Sequence, residues 1–348
     1  MTAAAAAAAV VPPAAGAPVT AGPIYIGGLD RCGKTTMAGF LTSHPRISVP
    51  AVGSNLWPYF YGQFGDLARP ECLDQCLDAM LGYKHAVFLR PDVARLRHDF
   101  ATGPPTYARL FELFHLQFAE REGKARYGVQ TGLIERYADE LFASYPGVRV
   151  VHMVRDPRDR YEASLALWPD GRGRAGGAAA RWSYSVRLAE RHAARHPDGY
   201  LVVRFEDLVR EPEPTVRRVC AFVGEEFVPE MLAMPGAPAR RARLLEHPEA
   251  DASQLLAPDV VGAFRGRVPD DELAFLQLHL GRRMRALAYE TEPLSRDAAW
   301  WVHFGARSWP DQAARMVAWR VVEELQQRCP RIVRRRPDRR MAVQRSEG

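Results

Sequence analysis

The sequence is poor in lysine, in cysteine and in long apolar runs, and each scarcity excludes a class of protein or site. Five cysteines are an odd and sparse set, which argues against a disulfide framework and for a reducing compartment. No apolar run reaches the ~18 residues of a membrane span, so no transmembrane segment is predicted. Only three of the 47 basic residues are lysines, so a lysine inside a motif stands out. The cysteines are Cys32, Cys72, Cys76, Cys220 and Cys329.

Residues 1–22 form an Ala/Pro-rich opening that lacks a basic segment and is interrupted by prolines. This composition predicts a disordered leader and not a signal peptide, and therefore a cytoplasmic protein. The net charge of +6 suits an anionic substrate. Nucleic-acid binding is not predicted, because no basic stripe with interleaved aromatic residues precedes the arginine-rich end. No metal centre is predicted, since Cys72 and Cys76 lack a second Cys or His pair at ligand spacing.

The order of elements predicts an α/β fold, in which helices flank a parallel β-sheet. Short β-branched or aromatic runs predict strands at 24–28, 148–154 and 200–208. One main domain is expected over residues 23–291. Helical spacing of apolar residues predicts helices over 35–44, 106–121, 213–224 and 270–288.

Two aromatic groups lie between the first two predicted strands. The stripe on the helix over 106–121 is expected to be core. Residues 51–70, rich in aromatics, Gly and Pro, are expected to form a long irregular loop. The rings of this loop form either a platform for an acceptor or a cover over the core, and the sequence favours neither. They are Trp57, Tyr59, Phe60, Tyr61 and Phe64.

The stretch "GGLDRCGKTT" (27–36) predicts a phosphate-binding loop between a strand and a helix. Its glycines allow a sharp turn with exposed N–H groups, and the helix that follows begins with unpaired donors and a positive dipole end. Arg31 and Lys34 add full positive charges. The alternative is an ordinary strand–turn–helix connection whose composition is accidental.

The spacing from Gly28 through Gly33 and Lys34 to Thr35 is also that of an ATP- or GTP-binding loop. Such proteins hold magnesium with the loop Thr and with an Asp at the end of a buried strand. Here the strand over 148–154 is followed by arginine, and Asp207 fits the role poorly. A P-loop kinase or NTPase that uses Mg·ATP stays open as an alternative.

Arg155 predicts a second anion site. It follows a buried strand directly, and ligands of doubly wound sheets lie at the carboxyl ends of strands. A nucleoside with phosphates at opposite ends would occupy this site and the loop together. The alternative for Arg155 is an ion pair with Asp156 or Asp159.

Four segments, in this order, resemble those of sulfotransferases that use 3′-phosphoadenosine 5′-phosphosulfate (PAPS). They span roughly residues 23–290, so the resemblance is more specific than any single motif. The segments are "PIYIGGLDRCGKTTMAGFLTSHPRI", "YPGVRVVHMVRDPRDRYEASL", "YLVVRFEDLVREPEPTVRRVCAFVGEEF" and "VVGAFRGRVPDDELAFLQLHLGRRMRALAYE".

The resemblance implies a P-loop NTPase-like architecture and sulfuryl transfer without a metal. The acceptor would be a hydroxyl or amine of a carbohydrate or small metabolite, and Arg31 and Lys34 would be catalytic. Arg155 and Ser164 would bind the 3′-phosphate, and Arg265 is a further cofactor ligand. The implied 5′-phosphosulfate ligands are Gly28, Arg31, Cys32, Gly33, Lys34, Thr35 and Thr36.

Several positions depart from the family pattern. Lys34 stands where the family usually has Thr, and Gln130 where relatives often have a basic residue. Ser164 follows Arg155 by nine residues instead of eight, which places Ala163 at the family's spacing. A non-catalytic nucleotide-binding relative therefore stays open. The general base is also open among Asp30, Asp66, His85, Asp99, His115 and Glu135.

Residues 292–348 form an extension rich in aromatics and arginine, with helical patterning. Trp300, Trp301, Phe304 and Trp309 are too many large apolar side chains for a solvated tail. The extension is therefore expected to pack on the domain or on a partner, including a second copy of the chain. The final "RRRPDRR" is expected to be a solvated charged end.

Overall fold

A five-stranded parallel sheet organises the chain, which the computed structural model describes over residues 22–165, 174–234 and 258–329. The strand that precedes the predicted phosphate loop is the central one and has neighbours on both sides. This is the point where the strand order reverses, the usual place for a ligand in such sheets. In spatial order the strands are β2 (Ile47–Ser48), β3 (Arg126–Gln130), β1 (Ile24–Gly27), β4 (Arg149–Val154) and β5 (Tyr200–Arg204).

Helices cover both faces of the sheet and make most of the connections. A π-helical turn, Phe304–Ser308, joins the last two of them. The described helices are α1 (Lys34–Thr42), α2 (Leu56–Phe60), α3 (Pro70–Leu81), α4 (Lys84–Val87), α5 (Val93–Ala101), α6 (Tyr107–Arg121), α7 (Ala138–Ser144), α8 (Pro157–Leu165), α9 (Ala175–Arg195), α10 (Phe205–Arg210), α11 (Pro212–Val223), α12 (Asp270–Ala286), α13 (Ala298–His303) and α14 (Trp309–Arg328).

The core has two parts, one on each face of the sheet. Along β1, Ile24 and Ile26 pack into one part, with α1, α9, α11 and α12, while Tyr25 packs into the other, with α2, α3, α5 and α6. In β4 the neighbours Val150 and Val151 divide in the same way. Side chains of a strand point alternately to opposite faces, so a strand that is buried on both faces is apolar throughout.

The predicted α/β class and parallel sheet are confirmed. The strands expected at 24–28 and 148–154 match β1 and β4, and β5 is shorter than expected because α10 begins at Phe205. The helix that ends before Gly224 is also correct, with Gly224 in the left-handed region at φ +77°. The strand β3 was not predicted, because "RYGVQ" has too few apolar residues to indicate one.

The aromatic residues of the 51–70 segment divide between the core and the walls of two cavities. The segment contains the short helix α2, and Trp57 and Phe60 lie in the core. Tyr59 and Tyr61 are only half-buried and line cavities described below. The apolar stripe of α6 is core, as expected, with Phe111 fully buried.

The described part of the C-terminal extension packs on the domain. Helix α14 lies along α9, where the backbone N–H of Gly176 donates to Oε1 of Gln312 over 2.8 Å. The ring of Phe304 is buried and stacks on that of Trp300, with 5.5 Å between the ring centroids. None of the described helices has the length and apolar character needed to cross a membrane.

The contact between α9 and α14 predicts opposite effects for two adjacent glycines. A Cβ at position 176 would lie 1.8 Å from the backbone oxygen of Gln312, so Gly176→Ala must push the helices apart. Overpacking of this kind costs about 1–3 kcal/mol. A Cβ at Gly177 meets nothing within 4 Å, so Gly177→Ala is the matched control and should be neutral or slightly stabilising. Thermal melting should show the loss for the first variant alone; equal melting temperatures would contradict this packing.

Candidate active site

The loop between β1 and α1 turns sharply at the carboxyl edge of the sheet. Gly28 and Gly33 have φ values of +106° and +88°, and Arg31 is also in the left-handed region. A Cβ at Gly28 would lie 2.2 Å from the carbonyl oxygen of Met153, and one at Gly33 2.2 Å from Cδ2 of Phe205. Because no side chain caps the start of α1, its first N–H groups stay unpaired. The loop and helix end together form an anion cradle.

Lys34, the first residue of α1, folds back over this loop. Its Nζ donates to the carbonyl oxygen of Gly28 over 2.9 Å and also to that of Leu29. Burial lowers the pKa of Lys34, against the opposing effects of Cys32 and Asp30. Backbone carbonyls are weak partners for an ammonium group, so an anion in the cradle can replace them.

The other loop side chains surround the start of α1. Thr35 is exposed and its Oγ1 donates to Oε1 of Gln130 over 3.2 Å, while Thr36 is half-buried. The amide of Gln130 donates to two carbonyls of residues 50–51. Cys32 is buried, and burial raises the pKa of its thiol to about 11, so the thiol stays protonated.

Asp30 ties the loop to the helix after β4. Its carboxylate accepts from Nη2 of Arg160 over 2.9 Å, and its carbonyl accepts from Nε of the same residue. Burial alone would raise the pKa of Asp30, but Arg160 and Lys34 hold it at about 2. The carboxylate is therefore charged at neutral pH.

Arg155 lies beside the loop and is buried, with 7% of its surface exposed. Its Nη1 donates to the carbonyl oxygen of Arg31 over 3.2 Å and its Nη2 to that of Val260 over 2.7 Å. The guanidinium lies 4.8 Å from the ring centroid of Phe205. The Nε atom is buried without a hydrogen-bond partner among the described residues. As a buried cation with an unused donor, Arg155 is a candidate for binding an anion.

The ion pairs considered for Arg155 are not formed. Asp156 accepts a bidentate pair from Arg158, at 3.0 and 2.7 Å. Asp159 accepts from the backbone N–H groups of Gly262 and Phe264, at 2.7 and 3.0 Å. Both neighbouring carboxylates are therefore committed elsewhere, and among the described residues the guanidinium of Arg155 is bonded to two backbone carbonyls and lies against one ring.

Ser164 and Arg265 are not brought together with Arg155. The hydroxyl of Ser164 donates to the carbonyl of Arg160 over 2.8 Å, so it lies on the helix face of Arg160. Ala163, four residues after Asp159, lies on the same helix face as Asp159. Arg265 is exposed and pairs with Glu292, although its segment contacts Arg155 through Val260.

An inner chamber of about 670 Å³ opens between the loop, the end of β3 and the C-terminal helix α14. Arg31 is not among its described lining residues, whereas Lys34 is. Of the six candidates for the general base, Asp30 alone lines it within the described chain. Lining residues include Lys34, Thr35, Gln130, Arg136, Arg181 and Glu323.

The other base candidates have structural partners. Glu135 is fully buried and accepts from the hydroxyl of Ser185. His115 is buried, which lowers its pKa to about 4. Asp66 caps a turn, Asp99 pairs with Arg95, and His85 bonds the carbonyl of Gly53. Asp207, considered as a magnesium ligand, pairs with Arg204.

Two cations of the inner chamber were missed by the sequence analysis. Arg136 forms a buried ion pair with Glu323 of α14. Arg181, on α9, has no hydrogen-bond or ion-pair partner within the described ranges. No local pattern marks either residue, since each is brought to the site by the packing of α14 and α9.

The fold and loop place the protein in a structural class: a P-loop-like α/β protein with an anion cradle after its central strand. The family described as "Sulfotransferase family" matches residues 23–229, more than half of the chain. The chain belongs to this family, and the protein is a sulfotransferase, an enzyme that transfers a sulfuryl group. A comparison with proteins of curated function found no match.

Three of the solved structures to which the chain is similar are sulfotransferases or sulfotransferase domains. The sulfotransferase domain of the olefin synthase of Synechococcus PCC 7002 is 19% identical, with a TM-score of 0.54, over 78% of this chain and 96% of that one. The corresponding domain of the curacin biosynthetic pathway is 16% identical, with a TM-score of 0.49, over 77% and 98%. A sulfotransferase from Mycobacterium avium is 16% identical, with a TM-score of 0.44, over 80% and 79%.

The ion pair of Asp30 predicts a pH-dependent contribution to stability. The pKa of Asp30 is about 2 in the folded chain and about 3.9 when unfolded, so the pair stabilises fully above about pH 4 and is lost toward pH 2. Asp30→Asn should therefore lower the free energy of unfolding at pH 6, and this difference should shrink between pH 4 and 2. Asp74→Asn, which removes an exposed pair with Arg97, is the control and should change little. Urea unfolding at several pH values measures both; a pH-independent difference for Asp30→Asn would contradict the assignment.

Proposed function

We propose that the enzyme takes its sulfuryl group from PAPS, with the 5′-phosphosulfate in the loop cradle and the 3′-phosphate at Arg155. The observation that carries the proposal is the buried guanidinium of Arg155, which has an unused Nε and no carboxylate partner in the described chain. The residue lies against the loop itself, through the carbonyl of Arg31. Two adjacent anion sites match a nucleotide that carries phosphates at both ends.

The described loop residues fit the first of these roles. The N–H groups at the start of α1 and the loop glycines would hold the 5′-phosphate, and Lys34 would exchange its carbonyl partners for the anion. Thr35 and Thr36 lie in the first turn of α1, where hydroxyls can donate to the same group. Ser164 and Arg265 stay as weaker proposals, because their side chains face Arg160 and Glu292.

In the reaction, PAPS supplies the sulfuryl group, and its bond to adenosine 3′,5′-bisphosphate (PAP) breaks as the acceptor oxygen bonds to sulfur. The proton of the acceptor hydroxyl would pass to solvent, and PAP would leave with the bridging oxygen and its electron pair. Lys34 and Arg31 would stabilise the negative charge that develops on that oxygen, as fixed cations that need no reorganisation. Arg181, unpaired in the inner chamber, would add positive charge there.

The acceptor would enter through the inner chamber, which Lys34 and Thr35 line at one end. We propose a hydroxyl or amine of a carbohydrate or small metabolite as the acceptor. Membership in the sulfotransferase family argues against the Mg·ATP alternative, and Asp207 is already paired with Arg204. Within the described ranges, no cluster of three or more His, Cys, Asp or Glu residues is arranged to hold a metal ion.

Calorimetry in magnesium-free buffer with EDTA tests the two-site proposal. Arg155→Ala should weaken binding of PAP by about 10- to 150-fold, the equivalent of a charge-assisted hydrogen bond of about 1.5–3 kcal/mol. Binding of adenosine 5′-phosphate should barely change, because it lacks the 3′-phosphate. Arg217→Ala, which removes an exposed arginine paired with Glu213, is the matched control.

Equal losses for both nucleotides would show that Arg155 is structural, and the proposal would fall. PAP binding that requires Mg²⁺ would also contradict it. On the geometry described, Ser164→Ala should leave the preference for PAP over adenosine 5′-phosphate unchanged, since its hydroxyl faces Arg160.

The roles of the two loop cations can be separated by kinetics. If Arg31 neutralises the bridging oxygen, Arg31→Ala should lower kcat more than it weakens PAP binding. Lys34→Thr, which restores the residue usual in the family, should be milder. Turnover and PAP affinity measured on both variants decide the question. Full loss of turnover in Lys34→Thr, with most activity kept in Arg31→Ala, would reverse the assignment.

A further inference from the structure

We propose that a second cavity, beside the inner chamber, binds the remote part of a sugar-like, polyhydroxylated acceptor. This outer chamber has a volume of about 580 Å³, a size that suits a small-molecule ligand. Among its lining residues are Tyr61, Gln63, Tyr137, Glu140, Tyr184 and Gln326. The inference rests on the proposed sulfuryl transfer in the inner chamber and names the class of molecule that receives the group.

The outer and inner chambers adjoin each other. Both are lined by Pro58, Arg136 and Gln326, the last from α14 of the C-terminal extension. The buried ion pair between Arg136 and Glu323 fixes α14 at this junction. An acceptor can therefore place one hydroxyl near Lys34 while its remaining part occupies the outer chamber.

Several polar groups of the outer chamber have no hydrogen-bond partner among the residues that the structure describes. Oε1 of Gln63 is buried without a hydrogen bond. The side chains of Gln326 and Glu140 and the hydroxyl of Tyr61 also make no hydrogen bond with any described residue. Glu140, Tyr61 and Gln326 are half-buried and line the cavity, so their polar atoms are available to a ligand that carries several hydroxyls.

The chemistry of these groups matches hydroxyls. Amides donate and accept, a carboxylate accepts, and each sugar hydroxyl can do both. Burial and the nearby Glu140 raise the pKa of Tyr61, so its hydroxyl remains a donor. A phenol or simple alcohol offers one hydroxyl, which must enter the inner chamber, and would leave the outer groups unpaired.

Tyrosine rings supply flat apolar surface in the same cavity. Tyr61 and Tyr137 meet edge to face, with 5.8 Å between their ring centroids. Tyr184 comes from α9, and its hydroxyl accepts from the amide of Gln327 on α14. Flat rings next to hydrogen-bonding groups suit a ligand that has an apolar C–H face and a polar rim, as a pyranose ring has.

The experiment is a comparison of matched acceptors. Turnover with PAPS is measured on 4-nitrophenyl glycosides of glucose, galactose, mannose and N-acetylglucosamine, and on 4-nitrophenol and 4-nitrobenzyl alcohol. At least one glycoside should exceed both non-sugar acceptors by about 10-fold or more in kcat/KM. Gln63→Leu and Glu140→Gln, which change residues that line the outer chamber and not the inner one, should each raise KM for that glycoside by about 3- to 10-fold with little change in kcat, and should leave the non-sugar acceptors unchanged. Arg320→Leu, at an exposed position of α14 that lines neither chamber, is the control.

Several results would overturn the proposal. A preference for the non-sugar acceptors would exclude a sugar-like acceptor, and equal losses on all acceptors would make Gln63 and Glu140 structural. If no acceptor is turned over, saturation-transfer NMR of the glycosides with the PAP complex decides, and no binding of any glycoside overturns it. PAP calorimetry on the same variants separates the proposed PAPS site from the proposed role of the outer chamber. Intact PAP binding without a preference for glycosides would reject only the role of the outer chamber.

Discussion

The site depends on the burial of the Arg155 guanidinium. It is a buried cation that contacts two backbone carbonyls and one aromatic ring, with no carboxylate among its described partners. Such a group is unfavourable to bury unless an anion completes it. The residue also joins three parts of the chain, because it bonds the loop at Arg31, the distant segment at Val260 and the start of α10 at Phe205. Binding of an anion there would therefore involve the whole cleft.

Phe205 contacts both Arg155 and the phosphate loop. Its ring lies against both Gly33 and Arg155, so that any Cβ at position 33 would collide with it. A Cβ at Gly28 would collide in the same way with the backbone of β4, at the carbonyl oxygen of Met153. The cradle is thus shaped by contacts with β4 and with the start of α10, and its two glycines are required by space as well as by their positive φ angles.

The parts of the site that follow from local pattern could be predicted from the sequence. The loop glycines, Lys34 and the position of Arg155 after a buried strand are of this kind. Ser164 could not be placed by spacing, because a shift of one residue on a helix turns the side chain by about 100°. The contribution of α14 to the inner chamber could not be predicted either, because Glu323 pairs with Arg136 only when the extension packs along α9. Resemblance to a family covers the domain but says nothing of such an extension.

The most direct test of this account is a crystal structure of the protein with PAP. The account predicts the 5′-phosphate against the N–H groups at the start of α1, with Lys34 turned toward it, and the 3′-phosphate within hydrogen-bond distance of Arg155. The inner chamber should stay open on the side of α14 for an acceptor. A nucleotide whose 3′-phosphate lies away from Arg155, while that guanidinium keeps its bonds to Arg31 and Val260, would contradict the central claim.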